Sequence, residues 1–376
     1  MVSPGDLDTS FSGDGKRVIG FGGTDVARAV VVASQSRILV AGRGGLTPSF
    51  CIARLRSDGA LDTTFASTGK VRIAVGGDTF RGVQGIALQT DGKIVVAGQS
   101  NSRVVVARLR PNGLLDKTFS ADGKLTFRWG AGFLVAIGVA GVIVLPTGKL
   151  LVGGYSGPET GNMQAARLNA NGSLDTSFGT GGIATADFGG DEFADAMARQ
   201  PNGRIVIAGR SQPTFTNDPF TAVVARLRAN GALDPDFGGD GRVSLAAGNL
   251  VAVLVQEDRR ILVAGQPFGS NGVTRLNTNG SIDTGFGSAG TATIDIGVND
   301  AALQADGRIV VAGGSTGGFG VARLNPDGSP DTTFGNAGKA TVEFGGAALA
   351  VALQPNGRIV VAGTDGDNFA VARLLG

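Results

Sequence analysis

Residues 83–127 read VQGIALQTDGKIVVAGQSNSRVVVARLRPNGLLDKTFSADGKLTF, and this stretch decides the fold. The apolar run 83–89 ends in the turn Thr90-Asp91-Gly92. Residues 93–98 follow, then a variable loop, then 103–109, and after Pro111-Asn112-Gly113 and Leu115-Asp116-Lys117-Thr118-Phe119 comes 124–127. Four short runs rich in Val and Ile, bounded by Gly, Asp and Asn, read as four strands. Several are apolar at successive positions rather than at alternate ones, the pattern of strands covered on both faces.

Outward from this unit, the pentapeptide recurs seven times, starting at Leu7, Leu61, Leu115, Leu174, Leu233, Ile282 and Pro330. Its Asp residues stand at 8, 62, 116, 175, 234, 283 and 331, so successive gaps are 54, 54, 59, 59, 49 and 48 residues. A period near fifty is the signature of a repeat architecture. Seven four-stranded sheets covered on both faces predict an all-β, seven-bladed β-propeller with four antiparallel strands per blade. The termini separate this from an open solenoid. The last unit stops after 369–374, and the first begins with the missing pieces, the pentapeptide at Leu7 and the run 16–21. Joined, they make one repeat, so the N-terminal strand is expected to complete the C-terminal blade as a three-plus-one closure. Residues 1–376 are read as one propeller domain, acting as a monomer.

Composition sets the bounds. Gly is abundant at 64 of 376 residues, yet hydrophobic content is 42%, which rejects a Gly-rich disordered chain. The formal net charge is +2, with one Trp and one Tyr and no basic block, so nucleic-acid binding has little support. The apolar stretch 133–146 contains two Gly and is too short to span a bilayer, so no membrane insertion is expected. No signal peptide precedes the first repeat, which leaves a trimmed leader or a cytosolic chain. The single Cys51 sits in an apolar run and reads as a buried, inert thiol. There is no His, which removes Ser-His-Asp and Cys-His catalysis and His-ligated metals. Asp234, Asp236 and Asp240 loosely resemble a calcium loop, but Gly238 stands where a ligand is needed. No metal and no cofactor is expected.

The segments Ala352-Leu353-Gln354-Pro355-Asn356-Gly357-Arg358-Ile359-Val360-Val361-Ala362-Gly363 and Val321-Ala322-Arg323-Leu324-Asn325-Pro326-Asp327-Gly328, with the pentapeptides, carry a family likeness. They resemble the bacterial delta-60 repeat family, β-propellers without an assigned function, over essentially the whole chain. The resemblance implies the fold and export to the cell surface or medium. It brings no catalytic residues. In similar propellers the strand ending in the first Asp-Gly or Asn-Gly turn is innermost.

On that register, the Asp-Gly turns and pentapeptides emerge at one end of the blades and are nearly identical from blade to blade. The loops at the other end vary, and function usually sits on variable loops held by a rigid frame. Two long ones are adjacent, 155–164 in blade three and 210–221 in blade four. Trp129 and Tyr155 belong to blade three, and Asp191-Glu192-Phe193-Ala194-Asp195 leads into blade four. Trp129, Tyr155, Glu159, Arg210 and Asp218 are therefore candidate ligand contacts, because exposed aromatics beside carboxylates suit sugars or cations. Aligned positions expected at the mouth of the channel are Arg28, Gln84, Ala140, Asp195, Val251, Asn299 and Leu349. Arg28 joins the candidates there, and an Arg28–Asp195 pair is conceivable.

The leading reading is a non-catalytic propeller that binds a small molecule, glycan or protein through this variable end. The alternative is a carboxylate-dependent enzyme of glycosidase, lyase or cyclase type, with Asp191, Glu192 or Asp195 as acid or base.

Overall fold

Blade four shows how the sequence builds one unit. Asp191–Arg199, Ile205–Gln212, Thr221–Leu227 and Arg242–Ala247 pair in chain order as an antiparallel sheet. The turn between the first two strands places Gly203 at a φ of 88°, a region that costs a residue with a Cβ far more. Residues 205–209 are all buried, whereas Arg242–Ala247 has no buried position. The period of two explains the unbroken apolar run. Val206, Ala208 and Val224 pack with Phe237, Leu250 and Val263 towards blade five. Ile207, Val223 and Ala225 pack with Leu151, Met163 and Phe178 towards blade three. The core therefore lies between blades, and each inner strand faces it on both sides.

The computed structural model describes residues 2–45, 49–75, 80–101, 103–129, 136–157, 161–213 and 218–376. It contains seven four-stranded antiparallel sheets, the blades of an all-β seven-bladed propeller. Contacts group the chain into two compact units. One comprises Met1–Val96, Leu109–Leu114 and Ile294–Gly376 and holds blades one, six and seven; the other comprises Ala97–Arg108 and Leu115–Thr293 and holds blades three, four and five. In the first unit Lys16–Ile19 pairs with Phe369–Leu374, from Lys16 opposite Ala372 to Ile19 opposite Phe369. This N-terminal strand is the fourth of the C-terminal sheet, the three-plus-one closure expected from the split repeat.

The pentapeptide is half of a larger device. Arg226 Nε donates to Asp234 Oδ2 at 2.8 Å, and its guanidinium carbon lies 4.7 Å from the centre of the Phe237 ring. Arg226 Nη1 donates to the Thr278 carbonyl of the following blade. Arg373 repeats the arrangement in the closing blade, donating to Asp8 at 2.8 Å, to Ser10 Oγ at 2.9 Å and to the Ser57 carbonyl, over Phe11. Arg54, Arg108, Arg167, Arg275 and Arg323 reach Asp62, Asp116, Asp175, Asp283 and Asp331 at 2.6–2.9 Å. Each Arg thus fastens its own pentapeptide and, in at least five blades, a carbonyl of the next.

Burial alone would raise the pKa of Asp8, Asp62, Asp116, Asp234, Asp283 and Asp331. Hydrogen bonds and guanidinium charge outweigh it and hold these carboxyls below the usual range. For Asp175 the Lys149 hydrogen bond leads in the same direction. Asp234 of the loose calcium pattern is likewise engaged by three guanidinium groups, Arg204, Arg226 and Arg228. Cys51 is buried, and burial pushes its thiol up to about 12.

Candidate functional site

Within the second unit, the loop end of blades three and four brings several candidates together. The first strand of blade four carries a bulge between Ala194 and Ala196, so Asp195 is an extra residue without a ladder partner. A bulge re-aims the side chain it carries. On the second strand Arg210 stands opposite Phe193. Arg210 Nη1 meets Asp195 Oδ2 at 2.9 Å. The Arg210 guanidinium carbon lies 4.9 Å from the centre of the Phe193 ring and 5.0 Å from that of Phe220. The two rings are edge-on to each other at 5.8 Å, and Tyr155 packs edge-on to Phe193 at 5.0 Å. Side-chain exposure of 28% for Arg210 and 27% for Asp195 keeps the pair within reach of solvent. Burial pushes the Asp195 carboxyl up to about 6 against the opposing pull of Arg210.

Glycine makes room for the aromatics. Tyr155 lies opposite Gly138, where a Cβ would come within 1.9 Å of the Tyr155 ring. The tryptophan differs from its expected exposed role. Trp129 is 3% exposed, its Nε1 donates to the Gly138 carbonyl at 3.3 Å, and it meets Phe127 edge-on. Its indole covers the backbone of Gly138 and Gly154 and belongs to the core.

The carboxylates divide by task. Glu192 is fully buried, and its Oε1 accepts from Gly190 N at 3.0 Å and Ser211 Oγ at 2.9 Å. Burial raises its pKa, opposed by those bonds and the Phe188 amide. Asp25 occupies the matching place in blade one, where it holds the Phe21 and Gly45 amides. Both are hooks that fasten the loop leading into a blade. Asp191 accepts from Gly161 N at 2.9 Å and ties the blade-three loop to blade four. Asp218 is exposed, and its carbonyl accepts from Gln212 Nε2 at 2.7 Å. A cavity of about 220 Å³ opens nearby, lined by Phe188, Gly190, Ser211, Pro213, Thr221 and Ser244. Glu159 lies outside the described residues. Arg28 belongs to the first unit, where it is the extra residue of the bulge between Ala27 and Ala29. Asp195 is paired with Arg210.

Sequence reasoning missed Phe220, the second wall around Arg210, and Asp300. Asp300 accepts from Ala301 N and Val351 N, both at 2.8 Å, and burial pushes it up to about 6. The sequence does carry a signal for it: the residue after each aligned mouth position is Ala or Gly in the other six blades.

The family model described as "Domain of unknown function (DUF5122) beta-propeller" matches residues 36–65, 89–119, 145–178, 200–237, 256–286, 304–334 and 354–375. The chain belongs to this family. Six of its seven matched segments run from a first-strand turn through a pentapeptide, the uniform end of the DUF5122 repeat, and the seventh, 354–375, stops before one. No curated protein sequence matches the chain. Solved structures share the fold at low identity. A catalytically inactive virginiamycin B lyase of Staphylococcus aureus with quinupristin matches at a TM-score of 0.55 and 9% identity, over 96% of this chain and 99% of that one. The WD40 beta propeller domain of Doa1 matches at 0.57 and 12%, over 96% and 97%. YCF48 bound to D1 peptide matches at 0.52 and 10%, over the full length of both.

Proposed function

We propose that the protein is a ligand-binding propeller that works without catalysis, through the loop end of blades three and four. The observation that carries this reading is Arg210 held between Phe193 and Phe220 and, among the described residues, engaged at one nitrogen, by Asp195. An aromatic box of this kind suits a cation, and here the chain's own guanidinium fills it. A cationic ligand is thereby disfavoured. What the cluster offers is the remaining donor edge of Arg210, the Asp195 carboxyl and the half-exposed Tyr155, a set suited to a hydroxyl-rich ligand such as a glycan, or to a polar peptide segment. Propellers of similar fold include one captured with quinupristin and one with a peptide, so the fold accommodates such use, but function rests on the site and not on the fold. Likeness of the repeats to the delta-60 group supports an exported bacterial protein, where a glycan ligand would be met.

One observation favours the enzymatic alternative. A carboxyl pushed up to about 6 beside an arginine is poised for acid–base work near neutral pH. It would have to proceed without histidine, whereas the similar lyase was made inactive by a His-to-Ala substitution.

The test is a glycan and peptide screen followed by calorimetry on Tyr155→Ala and Arg210→Ala. Both should weaken binding of any ligand found by about ten-fold or more with little change in melting temperature. Unchanged affinity in both variants removes the site. Turnover of a bound ligand that is lost in Asp195→Asn would establish the enzymatic alternative instead. Trp129 is unsuited to this test, because truncating a buried Trp costs about 3–5 kcal/mol of stability.

A further inference from the structure

The turn end of the same two blades carries a second irregularity, distinct from the cluster at the loop end. In blades four and seven the first strand ends in a glutamine that reaches the next blade's turn. Gln200 Nε2 donates to the Arg259 carbonyl at 3.0 Å, and Gln354 Nε2 to the Ser36 carbonyl at 3.1 Å. Gln89, Gln256 and Gln304 hold the same sequence position. Blade three has Leu145 there, so no side-chain amide crosses to the blade-four turn. Next to this gap stands Arg199, where the other blades carry Val32, Leu88, Val144, Val255, Leu303 and Leu353. An aliphatic residue replaces a polar one, and a cation replaces an aliphatic one, on the two sides of one groove.

A cavity of about 310 Å³ lies at this place. Leu145, Pro146, Leu151, Ile205 and Ala229 make its apolar lining. Three cations line it as well, and two of them are committed. Lys149 and Arg167 each meet Asp175 at 2.6 Å, and Arg167 also donates to the Ala229 carbonyl and to Ser177. The Arg199 side chain has no hydrogen bond or ion pair among the described residues. Its Nη2 lies 3.7 Å from where a Cβ on Gly203 would stand, against the blade-four turn. A neutral occupant would leave this half-buried guanidinium without a partner, whereas an anionic one would gain a charge-assisted hydrogen bond. One carboxylate against three cations leaves the groove positive.

We propose that this groove binds a small amphiphilic carboxylate, with its anionic group on Arg199 and its apolar body against Leu145, Leu151 and Ile205. Since a cavity of about 150 Å³ holds a benzene, this one takes a body of about a dozen non-hydrogen atoms. The geometry matches an aryl-alkyl acid.

Calorimetry on the full chain with 4-phenylbutyrate and with 4-phenyl-1-butanol, a pair that differs in the charged group, tests the proposal. The acid should bind about ten-fold tighter than the alcohol. Arg199→Leu installs the residue found at Leu88, Leu303 and Leu353, so the fold should hold while the preference for the acid disappears. Leu145→Gln restores the crossing amide and should weaken both compounds. Equal affinity for acid and alcohol, no binding of the acid at millimolar concentration, or an acid affinity unchanged in Arg199→Leu would each overturn the proposal. Because these residues lie at the opposite strand end from Tyr155 and Arg210, the outcome is independent of the glycan or peptide reading.

Discussion

Blade four holds the same three residue types at both of its ends, with opposite results. At the turn end Arg226 covers Phe237 and meets Asp234; at the loop end Arg210 covers Phe193 and Phe220 and meets Asp195. Asp234 is fully buried, yet it faces Arg204, Arg226 and Arg228 and takes the Asp236 amide, so its pKa falls. Asp195 is partly exposed and has one ion-pair partner among the described residues, Arg210, and its pKa rises to about 6. Several guanidinium groups outweigh burial at Asp234, whereas the single one at Asp195 does not. A saturated cluster holds blades together and recurs seven times. An unsaturated one retains bonding capacity for something else.

The largest effect that could break this comparison comes from removing each arginine. Arg226→Ala removes one of the three guanidinium groups on a fully buried carboxylate, with its cover on Phe237 and its bond to the Thr278 carbonyl, and should cost about 2–3 kcal/mol in urea unfolding. Arg210→Ala, at a solvent-reached pair, should cost only about 1 kcal/mol. Equal losses would show that the two ends do the same job.

A smaller and pH-dependent effect sharpens the electrostatic half. The folded pKa of Asp195, about 6, lies above its ordinary value of 3.8, so its ionised form costs stability once the pH rises through about 6. Asp195→Asn should therefore stabilise by about 1–2 kcal/mol at pH 8, discounted for partial exposure, and by nothing measurable near pH 3. The seven pentapeptide aspartates have the reverse sign. Their contribution is present above the ordinary carboxylate pKa and is lost as the pH falls through their lowered values, so the frame should fail in acid.

The smallest effect concerns an exception within the uniform end. Arg259 adopts a φ of 69° at a turn position filled by Gly92, Gly148, Gly203, Gly307 and Gly357 in other blades. Arg259→Gly should raise stability by about 0.5–1 kcal/mol in the same assay. Any larger gain would place real strain in a turn that otherwise belongs to the frame.

The fold was legible because repetition averages over local ambiguity. Seven pentapeptides counted the blades, and their split across the termini located the closing strand before any pairing was seen. The arginine of each Arg-Leu segment carries no sequence mark as a partner, since it lies eight residues before its Asp in blades one to six, across the termini in blade seven, and no spacing rule links the two. The site was only partly legible. Loop irregularity located Asp195, Arg210 and Tyr155, but Trp129 looked exposed because a lone aromatic near a variable loop carries no mark of burial. Gly138 and Gly154 supply that mark only once their pairing across the strands is known. Phe220 escaped notice because it precedes a strand and reaches Arg210 through space, not through sequence proximity.

The central claim is that the guanidinium groups around a carboxylate, several at Asp234 and one at Asp195, separate frame from site, and a carboxyl-carbon NMR titration of Asp195 and Asp234 in one sample tests it most directly. Asp195 should titrate near pH 6 and Asp234 should remain ionised below the ordinary carboxylate range. If the two titrate together near pH 4, about the ordinary value, the two ends of blade four do not differ in the way that makes one of them a site.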